Sequence, residues 1–344
     1  METRFLSDTT LSASANFSRG NPHPVRGYLF IAAATFFWGL SAAMGRAVFT
    51  GRVDFAGHLV PRIDPVMIAQ GRTTISLLVL APVLLLRNPA ALRISGRSLM
   101  QFSLLGILGV AASNYFYYLA IERTSVATAI VLQYVAPVWV LLYMVVRRLQ
   151  RPTGRRLLGV LLAVAGCALA VGFFSGRPSF PWLGLSGVEF STVGVLAAEM
   201  AAISFAFYNV YAQHLLQSID RWTVLTYALL WSAAFWIVVN PPWKIVALHY
   251  TCSQWVFLAI FSMTSMLIPF SFYFAGLQHL DPTRAVVTSC LEPVFAILLT
   301  AILLGEWVTP IQFAGMLIVL TATALVQRPD RLRHEPTIAV EPIE

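Results

Sequence analysis

The feature that most constrains the fold is a series of long apolar segments separated by short polar loops. Their approximate bounds are residues 28–49, 65–86, 98–121, 125–146, 154–174, 190–211, 222–242, 253–277, 283–304 and 308–327. Each segment has about the 20 residues that a helix needs to cross a bilayer core. Since 58% of the residues are hydrophobic and only 11% are charged, against roughly a quarter charged in soluble domains, a soluble fold is excluded. We predict an all-α membrane protein with ten transmembrane helices.

The distribution of basic residues predicts the orientation of these helices. Arginines concentrate in alternate loops, on the side that also carries the polar segments at both ends of the chain. Because basic loops remain on the cytoplasmic side of a membrane, both termini are expected in the cytoplasm. Residues 1–27 are then a flexible cytoplasmic arm and residues 328–344 a cytoplasmic tail, in a multi-pass protein of the bacterial inner membrane.

The two halves of the sequence repeat. An ungapped shift of 156 residues superimposes Tyr117 on Tyr273, Pro137 on Pro293 and Gly159 on Gly315. A shift of 167 residues relates the first segment to the sixth more weakly. With five helices in each half, the second half must enter the membrane from the opposite side, which is the inverted repeat of alternating-access carriers. We expect a first repeat over residues 28–174 and a second over residues 190–327.

Several short motifs resemble those of one transporter family. They are FFWG at Phe36–Gly39, Arg72 early in the second segment, APV at Ala136–Val138, LEPVFA at Leu291–Ala296 and LLGE at Leu303–Glu306. Over residues 28–327 the chain resembles the drug/metabolite transporter superfamily, specifically the EamA-type ten-helix permeases. The first half departs from the pattern, because basic residues at 147–148 stand where LLGE is expected. The resemblance implies export of small metabolites such as amino acids.

Glu292 and Pro293 form the first candidate site. A carboxylate inside a membrane helix costs roughly 2.5–3.5 kcal/mol on insertion scales, so it is expected to face protein or a water-filled cavity. Pro293 lacks an N–H and frees the carbonyl of Ser289 beside that carboxylate. Glu292 could bind a substrate amine or take up a proton; the alternative is a structural acid. Pro137 and Pro293 are predicted hinges, although proline kinks also serve packing alone.

Six further residues are predicted to bind substrate. These are Glu199, Arg72, Trp38, Asn114, Tyr117 and Tyr208. Glu199 is the more specific acid, because the family pattern does not require it, and its alternative role is a structural pair with an arginine. Arg72 could clamp a substrate carboxylate with two hydrogen bonds or pair with a membrane acid. The aromatic rings could line a pocket for a planar solute, with Asn114 supplying hydrogen bonds, or could simply pack.

These observations predict a secondary transporter, an efflux permease that alternates between cytoplasm and periplasm. It would follow the solute gradient or couple to protons through Glu199 or Glu292. HExxH, Walker A and GxSxG patterns are absent, so no enzyme is predicted, and the three cysteines lack metal-ligand spacing. The expected partners are a small solute, protons and the lipid bilayer, with no cofactor, metal or nucleic acid. A membrane-embedded enzyme acting on a lipid or isoprenoid, and a sensor without flux, are the alternatives.

Overall fold

A computed structural model describes residues 23–49, 54–55, 58–59, 63, 65–124, 126–171, 191–305 and 307–327. Most of the predicted N-terminal arm, the predicted tail and Glu306 lie outside these residues. The α-helices are α1 (Pro24–Phe49), α2 (Pro65–Arg87), α3 (Gly96–Leu104), α4 (Ala112–Arg123), α5 (Val126–Gln133), α6 (Ala136–Val146), α7 (Gly154–Ala170), α8 (Thr192–Leu216), α9 (Arg221–Val239), α10 (Pro242–Ala247), α11 (Cys252–Ser262), α12 (Ile268–Leu277), α13 (Pro282–Ser289), α14 (Glu292–Leu304) and α15 (Pro310–Gln327). The strands β1 (Asp54–Phe55) and β2 (His58–Leu59) pair antiparallel.

The all-helical membrane fold is confirmed. Within the described residues, nine helical stretches are long and apolar enough to cross a membrane by length and composition. They correspond to nine of the ten predicted segments. The remaining one, the fifth, is α7, which has 17 residues. Its end at Ala170 is followed shortly by residues outside the described part of the chain.

Four of the predicted segments are not continuous α-helices. The third contains a π-helical stretch at Leu105–Ala111, and the eighth contains one at Met263–Leu267. The fourth is broken between α5 and α6, and the ninth between α13 and α14. Pro137 and Pro293 occupy the start of the helix that follows each break, where a missing N–H costs nothing. The prolines therefore begin new helices after the breaks.

These irregularities recur at the 156-residue shift. Both π-helical stretches end at matched positions, Ala111 and Leu267, and both breaks follow matched residues, Gln133 and Ser289. The helix starts repeat as well: the hydroxyls of the N-cap residues accept a hydrogen bond from the amide three residues on, at 3.2–3.4 Å. The N-caps are Ser95 and Thr251, and Thr153 and Thr309. The repeat thus extends to caps and breaks.

The first and sixth segments run in opposite directions. At the start of α1, a Cβ on Gly27 would lie 2.9 Å from Cβ of His279, so α1 begins beside the loop between α12 and α13. Helix α8 ends shortly before α9, whose first residue, Arg221, also lies within electrostatic range of His279. The start of α1 and the end of α8 are therefore on the same side. Since a shift of 167 residues relates α1 to α8, the repeat is inverted.

Helix α1 also starts on the side of the bundle on which α15 ends. Helices α7 and α15 pack antiparallel, since a Cβ on Gly159 near the start of α7 would lie 2.3 Å from Cγ2 of Val326 near the end of α15. Just before α7, Gln150 accepts a hydrogen bond from the Thr283 hydroxyl at 2.9 Å, which places it beside the start of α13. The start of α1 and the end of α15 therefore share one side.

Two of the sequence motifs pack against each other at the centre of the bundle. A Cβ on Gly39, the last residue of FFWG, would lie 2.7 Å from the backbone nitrogen of Ala296, the last residue of LEPVFA. Only a residue without a side chain permits this approach. Phe36 completes the contact, edge-on to Phe295 at 5.6 Å. Helix α1 is thereby held against α14, close to Glu292.

Candidate functional site

Glu292 is the first residue of α14, directly after the helix break. At this position its carboxylate faces the positive end of the helix dipole, which stabilises a negative charge. The Tyr134 hydroxyl lies within hydrogen-bonding reach, and the guanidinium of Arg72 lies within electrostatic range. Although protein surrounds it, Glu292 keeps part of its surface accessible to solvent. Glu292 is therefore a partly buried acid within a membrane-spanning segment.

Arg72 extends from α2 towards the second π-helical stretch. Its Nη2 donates to the carbonyl of Ser265 at 3.4 Å and contacts Sδ of Met266 at 3.8 Å. Its Nε is buried and has no hydrogen-bond partner among the described residues. No direct ion pair joins Arg72 to Glu292 in this part of the chain. The guanidinium is therefore anchored on one side and keeps donors for another group.

Two tyrosines complete this arrangement. Tyr117 of α4 lies within electrostatic range of both Glu292 and Arg72, and Tyr134 occupies the break before α6. Both side chains are partly accessible. We call Arg72, Tyr117, Tyr134 and Glu292 the Glu292 site. It combines one acidic and one basic side chain that form no direct ion pair among the described residues, and such a pair can complement a solute carrying both charges.

Glu199 has a hydrogen-bond partner other than the arginine that was its alternative role, and its predicted contact with substrate stays a prediction. The Nε1–H of Trp139, in α6, donates to its carboxylate. A tryptophan thus takes the place of the arginine considered from the sequence. Glu199 is partly accessible and lies in the first half of α8, where the neighbouring Ala197 and Ala198 pack on helices α4 and α5.

The other predicted residues are mostly packed. Trp38 is 8% exposed, with its ring edge-on to Phe270 at 5.5 Å. Tyr208 is 1% exposed, and its hydroxyl has no hydrogen-bond partner among the described residues. Asn114 is partly accessible, and its amide nitrogen donates to the carbonyl of Val110 in its own helix at 2.7 Å. Their substrate contacts stay predictions.

Sequence reasoning missed several residues of this region. Tyr134 lies three residues before Pro137, so this predicted hinge was the signal that could have found it. Tyr273 donates a hydrogen bond to Oδ1 of Asn209, and no sequence pattern indicates that pairing. Among the described residues, no group of three or more metal-ligating side chains occurs.

An all-helical membrane protein with inverted repeats and an enclosed polar site at broken helices belongs to the class of membrane carriers. The comparisons with known proteins specify the family. The EamA-like transporter family model matches twice, over residues 25–172 and 192–328. The chain belongs to this family, as the motifs predicted, and is a membrane transporter.

Named relatives agree with this assignment. An uncharacterized inner membrane transporter of Salmonella typhimurium, YicL, is 27% identical over 239 residues, which are 69% of this chain and 74% of that protein. An uncharacterized transporter of Archaeoglobus fulgidus is 25% identical over 306 residues, 88% of this chain and 98% of that protein. A solved crystal structure superimposes with a TM-score of 0.67 at 19% identity, covering 87% of this chain and 96% of the other. The relatives support a location in the inner membrane.

Proposed function

We propose that this protein is a secondary transporter that exports small zwitterionic metabolites, amino acids above all, across the inner membrane by alternating access. Both termini then lie in the cytoplasm, on the side that carries most of the arginines. The observation that carries the proposal is the Glu292 site, where an acid and a base from opposite halves of the chain lie within electrostatic range and form no direct ion pair among the described residues.

The charges of the Glu292 site suit an amino acid. Arg72 keeps guanidinium donors that can hold a carboxylate with two hydrogen bonds. Glu292 can accept hydrogen bonds from the ammonium group, with the Tyr134 hydroxyl beside it. Arg72 and Glu292 are not in direct contact, so a substrate does not have to break an ion pair on entering.

The matched helix breaks support alternating access. Non-helical backbone at membrane depth is tolerated where it lines a cavity or is buried in protein, and here it occurs at equivalent positions of both halves. Pro137 and Pro293 stand directly after these breaks. They are the proposed hinges, at which α6 and α14 change their angle to α5 and α13.

The cargo is tested by counterflow in proteoliposomes loaded with unlabelled amino acids. Wild-type protein is expected to exchange labelled zwitterions at least about tenfold faster than the matching decarboxylated amines or deaminated acids. Arg72→Gln is expected to remove the preference for a carboxylate, whereas the exposed Arg123→Gln, with a side chain 54% accessible, keeps it. Equal rates for all three solute classes would contradict the zwitterion assignment.

Proton coupling is a separate part of the proposal. Among the described residues, Glu199 and Glu292 are the partly accessible acids within membrane-spanning segments. If either carries a proton, an imposed pH gradient drives accumulation of the solute above its external concentration. If uptake has the same rate and the same final accumulation with and without the pH gradient, proton coupling is refuted. The solute gradient is then the driving force.

A further inference from the structure

Basic side chains from three separate segments meet at one end of the helical bundle. His23 and Arg26 lie at the start of α1, Arg221 begins α9, and His279 lies between α12 and α13. The first three lie within electrostatic range of the His279 ring. Gly27 allows α1 to approach this loop closely, as its near contact with Cβ of His279 shows. We call His23, Arg26, Arg221 and His279 the basic patch.

The acids nearest to the basic patch are already engaged. Asp281 forms an ion pair with Arg284 at 3.2 Å and accepts a hydrogen bond from the Arg284 amide at 3.0 Å. Asp220 caps α9, because its Oδ2 accepts from the amide of Trp222 at 2.9 Å. Asp281 is thus paired with Arg284, whereas Asp220 keeps its charge next to Arg221; because the patch holds two arginines, a net positive charge remains among the described residues.

The basic patch lies at the level of the membrane–water interface. It is formed at the ends of membrane-spanning helices, and the guanidinium of Arg221 lies 5.1 Å from the ring centroid of Trp222, a residue type enriched at this level. Beside Arg26, Val25 and Leu29 are 70% and 65% exposed on one face of α1. Val25 and Leu29 therefore form an exposed apolar face beside Arg26, on the side of α1 that points away from Gly27 and His279.

We propose that the basic patch binds the phosphodiester headgroup of an anionic phospholipid, whose acyl chains lie along Val25 and Leu29. The arginines supply charge-assisted hydrogen bonds to the phosphate oxygens. A basic pocket between transmembrane helices is a known type of lipid site. A free phosphate would use the charges but not the exposed apolar face.

Binding should depend on pH in a defined direction. Burial and the nearby charges of His23, Arg26 and Arg221 lower the pKa of His279, so its ring is neutral near neutral pH. Tyr28, Asp281 and Arg284 are the other ionisable groups beside it. A bound phosphodiester adds a negative charge, which raises the pKa of His279. Because the complex then holds the proton more tightly, affinity should increase as the pH falls through the range between the two pKa values.

The test uses the full-length protein in detergent with phosphatidylglycerol or phosphatidylcholine of identical acyl chains, and native mass spectrometry to count retained lipids. We expect wild-type protein to favour phosphatidylglycerol, and Arg26→Gln and Arg221→Gln each to reduce this preference by about fivefold. Arg123→Gln is the matched control, because Arg123 lies at the opposite end of the bundle, beside Gly194. Thermal unfolding of each variant verifies that it is folded.

Three results would overturn the proposal. Equal retention of the two lipids by wild-type protein would exclude headgroup selectivity. An equal loss in Arg123→Gln would show that net charge matters and that the basic patch does not. Displacement of phosphatidylglycerol by inorganic phosphate at the same concentration would assign the patch to a soluble anion. None of these results depends on the transported solute, so they leave the proposed transport function unaffected.

Discussion

The repeat relates the Glu292 site to a second position in the molecule that is built very differently. At a shift of 156 residues, Arg72, Tyr117, Tyr134 and Glu292 correspond to Ala228, Tyr273, Cys290 and Ala136. One position thus holds an acid, a base and two phenols, and the other holds two alanines, a cysteine and one phenol. Both positions lie at the equivalent helix breaks and π-helical stretches of the two halves.

The second position is closed to solvent. The exposures of Ala228, Tyr273, Cys290 and Ala136 are 1%, 0%, 0% and 1%, whereas every residue of the Glu292 site is partly accessible. Tyr273 donates its hydroxyl to Asn209, while Tyr117 lies among the ionisable groups of the Glu292 site. The comparison teaches that the broken helices are shared architecture and that the charged side chains are confined to one of the two equivalent positions.

The largest expected effect comes from placing a charge at the closed position. Ala136→Glu inserts the residue of its repeat partner at a site with no accessible surface, and an uncompensated buried charge costs about 3–5 kcal/mol. We expect the variant to unfold at a much lower temperature in detergent, measured by the fluorescence of size-exclusion peaks after heating. Glu292→Ala, the reverse exchange, should remain folded. An Ala136→Glu variant as stable as wild type would mean that the second position is open.

Removing the charge of Glu292, at the partly accessible position, should affect transport and leave the fold intact. Glu292→Gln keeps the shape of the side chain and its bond from Tyr134 but loses the negative charge that an ammonium group requires. We expect counterflow to fall by about tenfold to a hundredfold, equivalent to about 1.4–2.8 kcal/mol, with unchanged unfolding temperature. Glu122→Gln, whose side chain is 69% exposed in wild type, is the control. Normal counterflow in Glu292→Gln would reduce Glu292 to a structural acid.

The sequence predicted the helices and the inverted repeat, because these depend on hydrophobic length and on identity at a fixed shift, whereas the role of Glu292 stays a prediction. It could not separate Tyr117 from Tyr273, which are identical residues at equivalent positions. Their difference depends on Asn209, whose counterpart at the 167-residue shift is Ala42. It also depends on how each helix is rotated, and helices that are apolar all around do not reveal their rotation.

Partners across helices were unpredictable for the same reason. Glu199 was assigned a substrate or an arginine, and the structure gives it the indole of Trp139. Tyr208 was placed among substrate contacts, and it lies in the aromatic core, stacked on Phe205 at 5.8 Å. Both residues belong to α8, which is rich in alanine and aromatic residues on several faces. The sequence of such a segment indicates how deep a residue lies in the membrane, but not towards which neighbouring helix its side chain points.

The two tyrosines allow the comparison to be tested with one substitution at each position. Tyr273→Phe leaves Oδ1 of Asn209 buried without its donor, which costs about 1–3 kcal/mol, and Asn209 is 0% exposed. Tyr117→Phe should cost little stability because water reaches this side chain, but should slow counterflow by a few-fold. Thermal unfolding and counterflow are measured on both variants. Equal effects of the two substitutions on stability would remove the distinction between an open and a closed position.

The smallest expected effect concerns Glu199, which the structure pairs with Trp139 outside the Glu292 site. Trp139→Phe removes the donor, but Glu199 is partly accessible, so water can replace the lost bond and the cost should be about 0.5–1.5 kcal/mol. Counterflow should keep its maximal rate and change its half-saturation by less than about threefold. If Glu199 instead contributes to the Glu292 site, Trp139→Phe and Glu292→Gln will couple. A double-mutant cycle on counterflow rates measures this directly: additive losses keep the two acids separate, and a coupling of about 1 kcal/mol or more would join them in one site.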